Sequence, residues 1–300
     1  MIFLKTFQLM NEEKVRYEEL LTIFRNYTTD EYYPLGLFNP NFTGQRIERI
    51  DFEDITILYG GNGSGKTTIL NIIAEKLEVF RYKKYLQTEA FKYYINNCRY
   101  EYDEKPLGRK FLASDDIFDH ILTVREENKS LKNNKTKEAD FHYKSKSYQD
   151  IFPSGAKLDF ENENKEEIEK FSRFCEARKK TRKQFIRSRV GEMQRQYSNG
   201  ENALMFFDKE IGKNVLYLLD EPENSMSPKF QIELKQLIED SVKYKNCQFI
   251  IATHSPFILS LENAKIYNLD ENPVWIRKWY ELENVKLMYE LLKQNREYFE

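Results

Sequence analysis

The sequence has little of what would staple a protein, span a membrane or give it a strong field. Its three cysteines, Cys98, Cys175 and Cys247, lie far apart with no CxxC pair. That suits neither a disulfide framework nor a cysteine-built zinc site and implies reduced thiols. No apolar run approaches the ~20 residues of a membrane span. The opening MIFLKTFQLM is too short for a secretory leader and lacks a small-residue cleavage site, so a cytoplasmic protein with no membrane partner is expected. Net charge is scarce as well: 47 Lys and Arg against 49 Asp and Glu leave a balance of -2. Any nucleic-acid contact must then come from a local patch rather than from a global basic field. Histidine is rare, with three in the chain, and no internal repeat is found.

What is present excludes a disordered chain. Apolar residues make up 40% and aromatics 15% of the 300 residues, enough to bury the core of one large domain or two small ones. Three short apolar runs, ITILY at 55–59, VLYLL at 215–219 and FIIA at 249–252, continue without alternation and read as buried parallel strands. Each ends at a Gly, Asp or Thr where a loop begins, and function gathers at such strand ends. Helical spacing follows the first run over Thr67–Leu77. It recurs from Phe230 to Val242, where Ser227 stands as N-cap and Pro228 at the first helical position. The fold class is therefore α/β, a mostly parallel sheet flanked by helices. One domain over 1–300 is expected, with a mainly helical inserted lobe over 81–195, and the polar stretch Glu126–Asp140 reads as a mobile loop.

The chemistry starts at 60–67, where GGNGSGKT fits the phosphate-binding pattern G-x-x-x-x-G-K-S/T directly after a strand and before a helix. Glycines let the backbone of Gly60, Gly61, Asn62, Gly63, Ser64 and Gly65 wrap a triphosphate, and the helix N-terminus at Lys66, Thr67 and Thr68 adds its partial positive charge. Lys66 reaches the outer phosphates and Thr67 ligates Mg²⁺. At the end of the second strand, Asp220 can hold the Mg²⁺ shell while Glu221 acts as general base on the attacking water. His254, after the third strand, can donate a hydrogen bond to a γ-phosphate. Ser198 and Glu201 have the spacing of a capping box ahead of an apolar helix, and this Ser- and Gly-fronted N-terminus, with Gly200, is also an anion site.

Between 173 and 195 stand nine basic residues, among them Arg173, Arg182, Lys183 and Arg187, against Glu176 and Glu192. They read either as a solvated helix face paired with the acidic cluster Glu161–Glu169 or as a phosphate or nucleic-acid contact.

Together, YGGNGSGKTT at 59–68, YSNGE at 197–201, LYLLDEPEN at 216–224 and IATHSP at 251–256 resemble the Walker A, signature, Walker B and switch-histidine motifs of ABC-type ATPases. The nearer likeness is to SMC-, RecF- and OLD-like ATPases, often labelled AAA family ATPases, including those of bacterial antiphage systems such as PtuA. The likeness covers 50–80 and 195–260, and departs from the pattern at Asn199, Met226 and Ser227.

It implies an ABC-type ATPase head that binds ATP and Mg²⁺ and hydrolyses ATP. Two copies would form a homodimer with ATP held between the Walker A loop of one and Ser198 and Gly200 of the other. The resemblance further implies a sensor or motor in DNA maintenance or antiviral defence, working with a separate effector such as a nuclease or toxin. The alternatives are the ATP-binding subunit of a membrane transporter and a slowly hydrolysing, nucleotide-gated binding module. For the family's glutamine loop, Gln87, Gln149, Asp115 and Asp116 are candidates; for the adenine-stacking residue, Tyr32, Tyr33, Phe38 and Phe42.

Overall fold

Uninterrupted apolar runs become the central strands of a six-stranded sheet. The computed structural model describes residues 2–10, 34, 47–83, 88–146, 148–151, 165–190 and 198–299. By its packing the chain divides into two units, Met1–Phe118 with Ser198–Glu300, and Asp119–Tyr197.

In the first unit, β1 (Leu4–Gln8), β2 (Arg49–Asp51) and β4 (Arg99–Tyr102) form a small antiparallel sheet in the order β2-β1-β4. The main sheet has the order β5-β6-β7-β3-β8-β9, from β3 (Ile55–Tyr59), β5 (Gly108–Ala113), β6 (Val215–Asp220), β7 (Gln248–Thr253), β8 (Lys265–Asn268) and β9 (Trp275–Arg277). Every neighbouring pair is parallel except β8 with β9. All of β3 and β7 is buried, as expected for parallel strands covered on both faces.

Around them run α1 (Lys66–Lys76), α2 (Glu89–Asn97), α7 (Asn199–Glu210), α8 (Pro228–Lys245), α9 (Pro256–Leu259) and α10 (Glu283–Gln294). Helix α8 starts where Pro228 follows Ser227, although the Ser227 side chain makes no capping bond, and it stops at Asn246, whose φ of 52° is left-handed. Buried Gln248 ties the two sheets together. Its Oε1 accepts from the N–H groups of Phe3 and Leu4, and its Nε2 donates to the carbonyls of Leu4 and Glu53, so all of its polar capacity is used.

The second unit is helical. It contains residues 119–144 of α3 (Ser114–Lys144), then α4 (Tyr148–Ile151), α5 (Lys165–Lys179) and α6 (Arg182–Arg189). Phe141 and Phe185 stack with centroids 6.2 Å apart, and Phe185 is fully buried.

Two expectations change here. Glu126–Asp140 is helix rather than mobile loop: residues 114–144 hold no Gly or Pro, Asp115 and Asp116 suit the first turn, and His142 and Lys144 suit the last. The segment 81–195 is not one insert, because β4 and β5 pair in the sheets of the first unit and the separate unit is 119–197. The basic run also finds partners other than its acidic sequence neighbour. Arg173 pairs with Glu138 at 2.8 Å, while Lys180 and Arg189 share Glu176, whose carboxyl they hold down at about 2. Tyr32, Tyr33, Phe38, Phe42, Gln87 and Arg195 lie outside the described residues.

Candidate functional site

The strand order brings three loop starts side by side, because β7 lies between β3 and β6 and all three run parallel. From β3 the chain enters the loop Gly60–Gly65 and then α1. Gly63 and Gly65 take φ of 82° and 90°, which only glycine adopts freely. At Gly60 a Cβ would stand 2.5 Å from Ser64 Oγ and 3.0 Å from Asp270 Oδ1, so the turn admits no side chain.

Helix α1 begins at Gly65 with no side-chain cap. Lys66 is buried, and its Nζ donates to the carbonyls of Gly60 and Gly61 at 2.7 and 2.9 Å. Ser64 Oγ is buried with no hydrogen-bond partner. This is a cradle of donors around a buried cation, and it fits a polyphosphate.

At the end of β6, Asp220 Oδ1 accepts a 3.0 Å hydrogen bond from Thr67 Oγ1. Burial pushes the Asp220 carboxyl up to about 6; the Thr67 hydroxyl opposes that shift and Glu221 adds to it. A hydroxyl and a half-buried carboxylate in contact, beside an ammonium, are an oxygen donor pair suited to Mg²⁺.

Glu221 has a φ of 46°, rare for a residue with a side chain, and its N–H donates to the Ala252 carbonyl on β7. This turn aims its carboxylate across the strand ends. Oε1 lies 3.5 Å from His254 Nδ1, and Oε2 accepts from Asn224 Nδ2 at 3.0 Å. Lys66, Thr67, Asp220, Glu221 and His254 thus lie together at the strand ends. Ser198 and Gly200 make their described contacts elsewhere. Ser198 is engaged in the capping box with Glu201, both bonds being formed, and Gly200 packs on Phe230 of α8.

The structure adds residues the sequence reading missed. Buried Glu223 accepts a short hydrogen bond from Thr253 Oγ1, while its other oxygen, Oε2, has no partner. Burial pushes this carboxyl up, against the Thr253 hydroxyl. Thr253 Oγ1 also accepts from the Ser255 N–H at 3.0 Å, and Ser255 Oγ bonds Gln231 Oε1 at 2.6 Å. Both neighbours of His254 are therefore fixed from beneath. On the outer side, Asn284 Nδ2 of α10 donates to the His254 carbonyl. At the phosphate loop, both Asp270 oxygens accept from the Gly61 N–H at 2.9 and 3.0 Å. The signal for Glu223 was its place in DEPE, while Asp270 follows a strand too short to stand out in the sequence.

Residues 189–259, which carry α7, β6, α8, β7 and α9, match the AAA ATPase domain family. The match covers less than half of the chain. The phosphate loop at 60–67 precedes the matched segment and reaches it through the sheet.

Among solved structures, the chain is similar to the Smc head domain of Pyrococcus furiosus. Identity there is 13%, over 99% of this chain and 100% of that one, with a TM-score of 0.39. The Thermotoga maritima SMC head gives 14%, 92%, 99% and 0.39 for the same measures. CbiO1 of the Clostridium perfringens ABC transporter complex gives 15%, 99%, 97% and 0.41. No curated protein matches. Among the described residues no helix is long and apolar enough to cross a membrane.

Proposed function

We propose that the protein is an Mg²⁺-dependent ATPase in which two copies close on ATP, and that it serves as the sensor or motor of a DNA-maintenance or antiphage complex. The carrying observation is the Thr67–Asp220 contact at 3.0 Å, which joins the phosphate loop to the acidic strand end.

When bound, ATP supplies the transferable phosphoryl group and Mg²⁺ the balancing charge. Lys66 leaves the carbonyls of Gly60 and Gly61 for phosphate oxygens. Thr67 and Asp220 would hold the metal. Glu221, held by Asn224, takes the proton of the attacking water, and His254, steadied by Thr253, Ser255 and Asn284, donates to the phosphate. Ser198 and Gly200 of a second copy would close the site. Hydrolysis opens the pair, so the nucleotide acts as a timed clamp. The DEPE sequence at 220–223 favours the SMC-, RecF- and OLD-like branch over transporter subunits. A nuclease or toxin on another chain would deliver the output.

The test is the molar mass of Glu221→Gln in solution, by light scattering after size exclusion, with and without MgATP. A mass that doubles with MgATP, while wild type returns to monomer as ATP is consumed, supports the clamp and the role of Glu221. A mass indifferent to MgATP overturns it.

A further inference from the structure

The second unit contains a wide-mouthed cleft of about 760 Å³ between the C-terminal half of α3 and the start of α6. Its rim carries Lys132, Lys135, Lys146 and Arg182, with Tyr143 exposed beside them. We propose that this cleft binds single-stranded nucleic acid, its cations on the phosphodiester backbone and Tyr143 against an unpaired base.

Charge comes first. The chain as a whole is at -2, yet the cleft gathers four permanent cations, and Asp140 is its one carboxylate. Asp140 is already engaged by Lys144 at 2.8 Å. The structure gives Lys132, Lys135 and Arg182 no carboxylate partner among the described residues. This contrasts with Arg173, Lys180 and Arg189 in the same unit, all of which are paired. Cations left without carboxylates in a concavity raise the local positive potential and favour a polyanion.

Spacing comes next. Lys132, Lys135, Ala139, Tyr143 and Lys146 recur at three- and four-residue intervals, so they form one stripe along α3 and the turn after it. At 1.5 Å per residue the stripe is about 20 Å long. That suits a run of phosphates better than one small anion. Arg182 opens α6 and faces the stripe from the other wall. The floor is firm: Phe141 and Phe185 stack beneath, and His142 Nε2 lies 3.0 Å from the Lys180 carbonyl.

The aromatic decides between forms of the polymer. Tyr143 is 69% exposed, and Lys146 Nζ lies 5.3 Å from its ring centroid. An exposed ring in a cationic groove is the arrangement on which single strands stack, whereas a duplex keeps its base faces inside. A flat anionic membrane would meet a convex or planar surface with apolar anchors, and this surface is concave.

Binding needs no nucleotide, so this partner assignment and the clamp fail separately. The full chain, in EDTA and without ATP, is titrated into a fluorescently labelled 20-mer of thymidylate, and anisotropy is read across a salt series. Four backbone cations predict that log affinity falls with log salt at a slope of about -3. Lys135→Gln with Arg182→Gln should weaken binding at least tenfold and flatten that slope, and Tyr143→Ala should weaken it about five- to a hundredfold. The control Lys229→Gln with Lys243→Gln, on α8 of the other unit, should stay within twofold, and thermal unfolding should show all variants folded. A blunt duplex of equal length should bind more weakly and ignore Tyr143→Ala. Absence of binding at low salt, equal loss in the control, or a duplex bound as tightly as the single strand overturns the assignment. So does displacement of the strand by inorganic phosphate at equal charge concentration, which would mark the cleft as a simple anion site.

Discussion

Replacing Thr253 by Val keeps the shape of the side chain and deletes one hydroxyl, which makes it a clean probe of the layer beneath His254. That hydroxyl donates to Glu223 and accepts from the Ser255 N–H. Its loss removes a hydrogen bond to a buried carboxylate, of the kind that contributes about 1.5–3 kcal/mol, and orphans a buried N–H at about 1 kcal/mol or more. Glu223 Oε2 has no partner that could compensate. A loss of about 3 kcal/mol should lower the unfolding midpoint by about 6–12 °C.

The sign with pH follows from burial, which pushes the Glu223 carboxyl up in the folded state. As pH rises, the unfolded chain ionises this group first, so the cost of keeping it charged and buried appears on the alkaline side and fades on acidification. Thr253→Val should therefore cost more at pH 8 than at pH 5. The assay is urea unfolding at both pH values, with Glu223→Gln completing a double-mutant cycle. A cost under about 1 kcal/mol, equal at the two pH values and additive with Glu223→Gln, would refute the reasoning.

Lys66→Ala should abolish nucleotide binding in calorimetry, at least a hundredfold, while leaving circular dichroism unchanged. Ser198→Ala removes the side-chain half of the α7 capping box, the Ser198 Oγ that accepts from the Glu201 N–H, so thermal unfolding should show a loss of about 1 kcal/mol. Gly200→Ala places a Cβ 2.5 Å from Phe230 Cδ2; overpacking of about 1–3 kcal/mol is expected, and Phe230→Leu in the same chain should recover most of it. Glu176, held down at about 2 by Lys180 and Arg189, lends stability that is present above the usual carboxylate range and lost as pH falls toward 2. Because the group is partly solvated, Glu176→Ala should cost no more than about 1 kcal/mol at pH 7 and nothing at pH 2.

The strands that carry chemistry were legible because β3, β6 and β7 are buried on both faces and read as continuous apolar runs. The loop at 60–67 was legible because glycines, lysine and threonine at that spacing answer one chemical demand. Strand β4, RYEY, carries no such signal: its residues are half-buried or exposed and its partner is β1, about a hundred residues away. Helix α3 was missed because charge all round hides periodicity, although the lack of Gly and Pro over 114–144 pointed to it. Glu223, Gln248 and Asp270 gain their meaning only from partners 30, 244 and 209 residues distant, and spacing along a chain cannot show those.

Those separations bear on how the molecule is made. Thr67 meets Asp220 across 153 residues, and Gly61 meets Asp270 across 209. A growing chain therefore displays its phosphate loop long before the strands that complete it exist. Ordering that loop early would cost entropy with no contacts to offset it. The site should become protected against proteolysis only in a last cooperative step, after β6, β7 and β8 have all been synthesised. A nascent chain halted before Asp220 should present residues 60–67 as an open tether, unable to retain nucleotide.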